Sequence, residues 1–174
     1  MDLATPSVTA RHSNLNAEIE TAGTVDVERR TWLAVLAKAS LPQLEEAASR
    51  LGEAPRFRRL RATETGLVMV RGRIGGTGQP FNLGEMTMTR AALQLLDPAG
   101  APLQTGFGHV AGRSARKAEL VALFDALLQD PTGRGWITEM AVRPLAEAQV
   151  ATKNARAAAV AASKVEFFTM VRGE

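Results

Sequence analysis

The strongest constraint on this chain is a change of period along it. Between Arg56 and Val110 the residues form strand-like segments cut by glycine and proline turns, and on both sides apolar residues recur at helical spacing. Arg56 to Ala62 and Gly66 to Ile74 read as strands joined by the polar turn Thr63-Glu64-Thr65-Gly66. Phe81 to Leu96 reads as one or two strands, with Gly84 as a bulge or bend. Asp97-Pro98-Ala99-Gly100 has turn chemistry, and Leu103 to Val110 returns as a further strand. Short turns between strands predict an antiparallel sheet of about four strands.

The flanks predict helices. Asp26 is placed to cap VERRTWLAVLAKAS, whose Val27, Trp32, Leu33 and Leu36 supply the buried side. Ser40 and Gln43 have capping-box spacing, with Pro42 in the first turn. Leu44, Ala47, Ala48 and Leu51 form the next apolar face, and Gly52 ends it, completing a helical hairpin. Ser114 caps ARKAELVALFDALLQD, lined by Leu120, Leu123, Phe124, Leu127 and Leu128. Pro131 and Gly133 read as a break, and the alanine-rich run after Pro144 as a long helix. The ending KVEFFTMVRGE fits a strand or a terminal helical turn. The fold class is α+β: a sheet with an N-terminal helical hairpin and C-terminal helices packed on it. Residues 1–25 read as a disordered leader and 26–174 as one domain.

Composition removes several function classes. There are no cysteines, so thiol nucleophiles, thiolate metal sites and disulfides are excluded. With His12 and His109 the only histidines, a self-contained metal site is not expected, and no cofactor is assigned to this chain alone. No apolar run reaches the ~18 residues of a membrane span, and the N-terminus lacks a secretory pattern, which places the expected location in the cytoplasm. Of 21 cations 17 are arginine, yet none form a basic stripe interleaved with aromatics, so nucleic acid is not an expected partner.

The candidate chemistry centres on RGRIGGTGQP. In a strand Arg71 and Arg73 share a face about 7 Å apart, a spacing that suits an anion or a carboxylate. Gly75, Gly76, Thr77 and Gly78 can aim backbone N–H groups at one anion, or simply turn a hairpin. No GK[ST] follows and no helix begins there, so the Walker pattern is absent and the hairpin turn is the simpler reading. Glu64 suits a base or an arginine acceptor, and His109 a titrating or hydrogen-bonded side chain. Arg113, Arg116 and Lys117 start a helix against its dipole, which hints at an acidic ligand. No nucleophile–base–orienter set is present, and catalytic residues are not assigned.

RATETGLVMVRGRIGGTGQPFNLGEMTMTRAALQL, GHVAGRSARKAELVALFDALL and SKVEFFTMVRG, in this order, resemble the PhnG family of the bacterial carbon–phosphorus lyase machinery. The resemblance covers roughly residues 26 to 174; its one departure inside the motifs is Ser114 after Gly112-Arg113, where the family commonly has an acidic residue. It implies an α+β subunit that joins PhnH, PhnI and PhnJ in a core complex, with ATP-binding cassette proteins of the same pathway. That complex would form ribose 1-alkylphosphonate 5-triphosphate from ATP and an alkylphosphonate, releasing adenine, with ATP as its substrate. The nucleosidase chemistry falls to PhnI and the iron–sulfur cluster to PhnJ, in keeping with a chain that has no cysteine. Two roles follow: an assembly subunit, with residues 144–174 as a docking helix and apolar tail (Phe167, Phe168, Met170, Val171, Arg172), or a co-catalytic subunit contacting triphosphate or phosphonate through Arg71, Arg73 and the GGTG turn.

Overall fold

The computed structural model describes residues 27–163. Asp26 and the apolar ending with Phe167, Phe168, Met170, Val171 and Arg172 lie outside the described residues. Helix α1 (27–38) and helix α2 (Leu41–Ser49) form the N-terminal hairpin. At their junction the Gln43 side-chain oxygen accepts from the Ser40 N–H at 2.9 Å, one half of the expected capping box.

Four strands follow: β1 (Phe57–Arg59), β2 (Glu64–Arg73), β3 (Pro80–Leu96) and β4 (Pro102–Ala111). All pairings are with β3 and antiparallel. Leu93 pairs with both Arg59 and Gly106, and Thr89 with both Thr65 and Val110, so β4 lies on one edge of β3 while β1 and β2 lie end to end on the other. Two expected boundaries move. Glu64 to Gly66 belong to β2 rather than to the turn before it, and β1 is short, although the Leu60 N–H still donates to the Ala92 carbonyl at 3.0 Å. Phe81 to Leu96 is one strand, bulged where Val70 pairs with Gly84 and Arg71 with Asn82; Gly84, at φ 148°, accommodates the bulge.

Helix α3 (Ala115–Leu128) is the centre of the core, and the Ser114 side chain caps it by accepting from the Lys117 N–H. The spacing predicts one apolar side, but Ala118, Leu120 to Ala126 and Leu128 are all buried, because the sheet covers one side and the other helices the rest. Its close seat on the sheet depends on missing side chains. A Cβ on Gly106 would sit 1.9 Å from the Ala122 carbonyl oxygen, and one on Gly108 2.0 Å from that of Ala118. Backbone meets backbone there, which no larger residue permits.

Helix α4 (Pro131–Ile137) starts where a break was expected. Pro131 takes the first helical turn, where its missing N–H costs nothing, and the Asp130 carboxylate accepts from the Thr132 N–H. A wide turn, Thr138–Val142, then leads into α5 (Arg143–Ala162). In it the Arg143 N–H reaches back five residues to the Thr138 carbonyl, which makes room for the ring of Pro144 within an otherwise continuous helical run.

One carboxylate ties these layers together. Asp125, fully buried, accepts from Arg29 Nε at 3.0 Å and Nη2 at 2.7 Å, from the Trp32 indole at 3.0 Å and from the Phe107 N–H at 2.9 Å. Asp125→Asn keeps the size but removes the charge that Arg29 Nε and Nη2 grip. Breaking such a pair costs about 3–5 kcal/mol, read as a lower melting temperature and an earlier chemical-denaturation midpoint. A variant as stable as the wild type would show that the pair does not hold the layers together.

Candidate functional site

β3 is 17 residues long and β4 is 10, and that mismatch creates the most unusual surface of the molecule. β4 pairs with β3 only from Met88 onward, so residues 80–87 continue with β2 alone. At ~3.3 Å per residue this makes a two-stranded arm reaching about 25 Å beyond the covered sheet. Apolar side chains remain exposed on both its faces. Alternation puts Leu67 and Met69, 63% and 50% exposed, on the face that continues from the core. Val68, Phe81 and Leu83 lie on the other face, with Leu83 60% exposed and packed over Gly72, where a Cβ would meet its Cδ1 at 2.6 Å. A lone hairpin is marginally stable in water, and a contiguous exposed apolar surface is characteristic of protein interfaces.

The expected anion residues come together at the tip of this arm. Gly75 (φ 59°, ψ 16°) and Gly76 (φ 81°) occupy the two left-handed positions of a type I′ hairpin turn. The Thr77 and Gly78 N–H groups both donate to the Ile74 carbonyl, the latter at 2.8 Å. Arg73 Nη1 donates to the Gly78 carbonyl at 3.1 Å and holds the turn shut. Arg71 projects from the same face with its guanidinium exposed and without a side-chain partner among the described residues.

The base of the arm is clamped on both faces. On the outer face Glu64 accepts from Arg61 Nη2 at 3.1 Å and from Arg90 Nε at 2.9 Å. The Arg90 guanidinium, with Arg61 beside it, holds the Glu64 carboxyl below the usual carboxylate range. Glu64 is thus an arginine acceptor, one of its two expected uses. His109 is cross-strand partner to Arg90 and exposed. On the helix face Glu119 accepts from Arg59 Nε at 2.7 Å and Nη2 at 3.0 Å, and from the Thr63 hydroxyl at 3.0 Å. Arg59, aided by Thr63, holds the Glu119 carboxyl low against a burial effect that raises it. Of the three cations at the start of α3, Arg116 lies 3.7 Å from Glu45, Arg113 is exposed, and Lys117 is half-buried.

The exposed apolar residues of the arm were missed by sequence reasoning, which found the strands but not what covers them. The available signal was the excess length of Pro80–Leu96 over its neighbour. Among the described residues no three His, Asp or Glu gather in a metal-binding group, and no helix is long and apolar enough to cross a membrane.

Because the Glu119 pKa is depressed in the fold, its contribution to stability is present above the ordinary glutamate range and is lost as pH falls through the lowered value. With Arg59 half-exposed, that contribution is at most about 1 kcal/mol. Melting temperature against pH should therefore show Glu119→Gln below wild type at neutral pH, converging with it in acid. Parallel curves would remove Glu119 from the acid response.

Comparison with known proteins places these features in context. The family described as phosphonate metabolism protein PhnG matches residues 27–173 of the chain. A protein of Rhizobium meliloti (strain 1021), alpha-D-ribose 1-methylphosphonate 5-triphosphate synthase subunit PhnG, is 40% identical over 147 residues. That match spans 84% of this chain and 90% of the relative.

Proposed function

The chain belongs to the PhnG family of phosphonate metabolism proteins, and from that premise we propose that it is an assembly subunit of a ribose 1-alkylphosphonate 5-triphosphate synthase. The observation that carries this reading is the arm, which presents exposed apolar side chains on two faces. In this reading the arm docks on another subunit of the complex, with PhnI as its partner and PhnH and PhnJ in the same assembly. The assembled enzyme breaks the bond between adenine and C1 of the ATP ribose and joins C1 to a phosphonate oxygen. Adenine leaves and the 5-triphosphate stays on the product. The apolar ending with Phe167, Phe168, Met170, Val171 and Arg172 is a second docking element in the same scheme.

A second reading rests on Arg71, a guanidinium with no partner among the described residues beside an arginine-locked glycine turn. There the arm tip touches triphosphate or phosphonate within the complex.

Leu67→Asp with Leu83→Asp separates assembly from folding. Both side chains are more than half exposed, so stability should change by under ~1 kcal/mol. Co-purification with the other subunits should be lost, and a complex that forms as before would end the docking reading. Arg71→Ala with Arg73→Ala should leave the complex intact and lower adenine release at least tenfold if the tip contacts the anion. Unchanged release would exclude the second reading.

A further inference from the structure

The division of labour between the two cationic residue types points to a further site. Arginine forms every ion pair found among the described residues, gripping Glu28, Glu45, Glu46, Glu64, Glu119, Asp125 and Glu139. Lysine forms none of them. The sequence has four lysines, and the three within the described residues, Lys38, Lys117 and Lys153, all line one cleft. They come from the end of α1, the first turn of α3 and the middle of α5. Arg156 joins them, and no carboxylate is among the lining residues. None of these four cationic groups has an ion pair or side-chain hydrogen bond among the described residues.

We propose that this cleft binds an oligophosphate, as a free chain or as the phosphate tail of a nucleotide. Its volume, about 730 Å³, exceeds what one phosphate needs and lies within the range of small-molecule sites. Lysine ammonium groups bind phosphates as point charges, and four cations without ion pairs in one cleft, with no carboxylate in its lining, suit a ligand that carries several negative charges along a chain. The walls are fixed, since Gln149 Nε2 donates to the Val35 carbonyl at 2.8 Å and ties α5 to α1. The Gln43 oxygen is taken by Ser40, which leaves the Gln43 amide donors for a ligand. Burial also pushes the Lys117 ammonium below the ordinary lysine range, a penalty that a bound anion would relieve. The site goes beyond the assembly role and stands without it, because every element of it belongs to this chain.

The test is calorimetric titration of the full-length chain, alone, with inorganic tripolyphosphate, ATP and inorganic phosphate at low and physiological salt. Tripolyphosphate should bind at least tenfold tighter than phosphate and weaken with salt. ATP binding equal to tripolyphosphate assigns the phosphate chain as the whole ligand, and tighter ATP binding adds the nucleoside; both support the site. Lys117→Met with Lys153→Met should lose at least tenfold in affinity. The more exposed pair Lys38→Met with Lys153→Met serves if the first variant melts early. Arg30→Met with Arg113→Met removes as much charge away from the cleft lining and should bind as wild type. Absence of tripolyphosphate binding, equal losses in the control variant, or a hexaglutamate peptide bound as tightly would overturn the proposal. None of these readouts depends on complex formation, so failure here is distinct from failure of the docking variants.

Discussion

A buried carboxylate at position 125 settles three problems at once. It neutralises Arg29, satisfies the indole of Trp32, and accepts the Phe107 N–H of an edge strand. That N–H points away from β3 and would otherwise template pairing with another chain. Gln129, one turn further along α3, donates to the Thr105 carbonyl at 2.8 Å on the same edge. The central helix therefore covers the sheet face with its alanines and closes the sheet edge with its polar side chains. Such an arrangement requires contact at backbone distance, which is why Gly106 and Gly108 oppose Ala118, Ala122 and Ala126. The carboxylate and the two glycines depend on each other: without the close seat, Asp125 would not reach the strand.

The edge closed on β4 stands against the arm left open on β2 and β3. One end of the sheet is protected from association, and the other extends exposed leucines, a valine, a methionine and a phenylalanine into solvent. Marginal stability of the whole fold makes such exposure costly unless another surface covers it. Arginines placed at the base of the arm, Arg59, Arg61 and Arg90, are each paired with glutamate, while Arg71 near the tip is not. Cations are thus paired with carboxylates where the arm joins the body, while at its end Arg73 holds the turn and Arg71 has no side-chain partner among the described residues.

Much of this fold was legible in the sequence because it follows local rules. The switch from helical to alternating period located the sheet, Ser114 located the start of α3, and Gly84 marked the bulge. What was not legible is long-range. Trp32 and Asp125 are 93 residues apart, and nothing in either neighbourhood names the other. Gly106 and Gly108 read as ordinary glycines beside a histidine; only the facing alanine stripe in α3 gives them meaning. Pro131 and Gly133 read as a break, yet Pro131 starts a helix, because proline fixes where a helix can lack a donor rather than whether one forms. The tip of the arm was found by composition, whereas the lysine cleft was not, since its members come from three helices and only Lys117 stood out locally.

The arm and the cleft are also physically connected, through a short stretch at the start of α3. Thr89, fully buried, marks the register at which the covered sheet gives way to the arm. Its hydroxyl donates to the Gly112 carbonyl at 2.7 Å, and the Thr65 hydroxyl lies 3.0 Å from it across the strands. The Gly112 N–H in turn donates to the Thr87 carbonyl at 2.8 Å. Two residues later Ser114 caps α3 by accepting from the N–H of Lys117, whose side chain enters the cleft. The hydrogen bonds that fix the base of the arm at Thr89 and the cap that starts α3 at Ser114 are therefore separated by a single residue, Arg113.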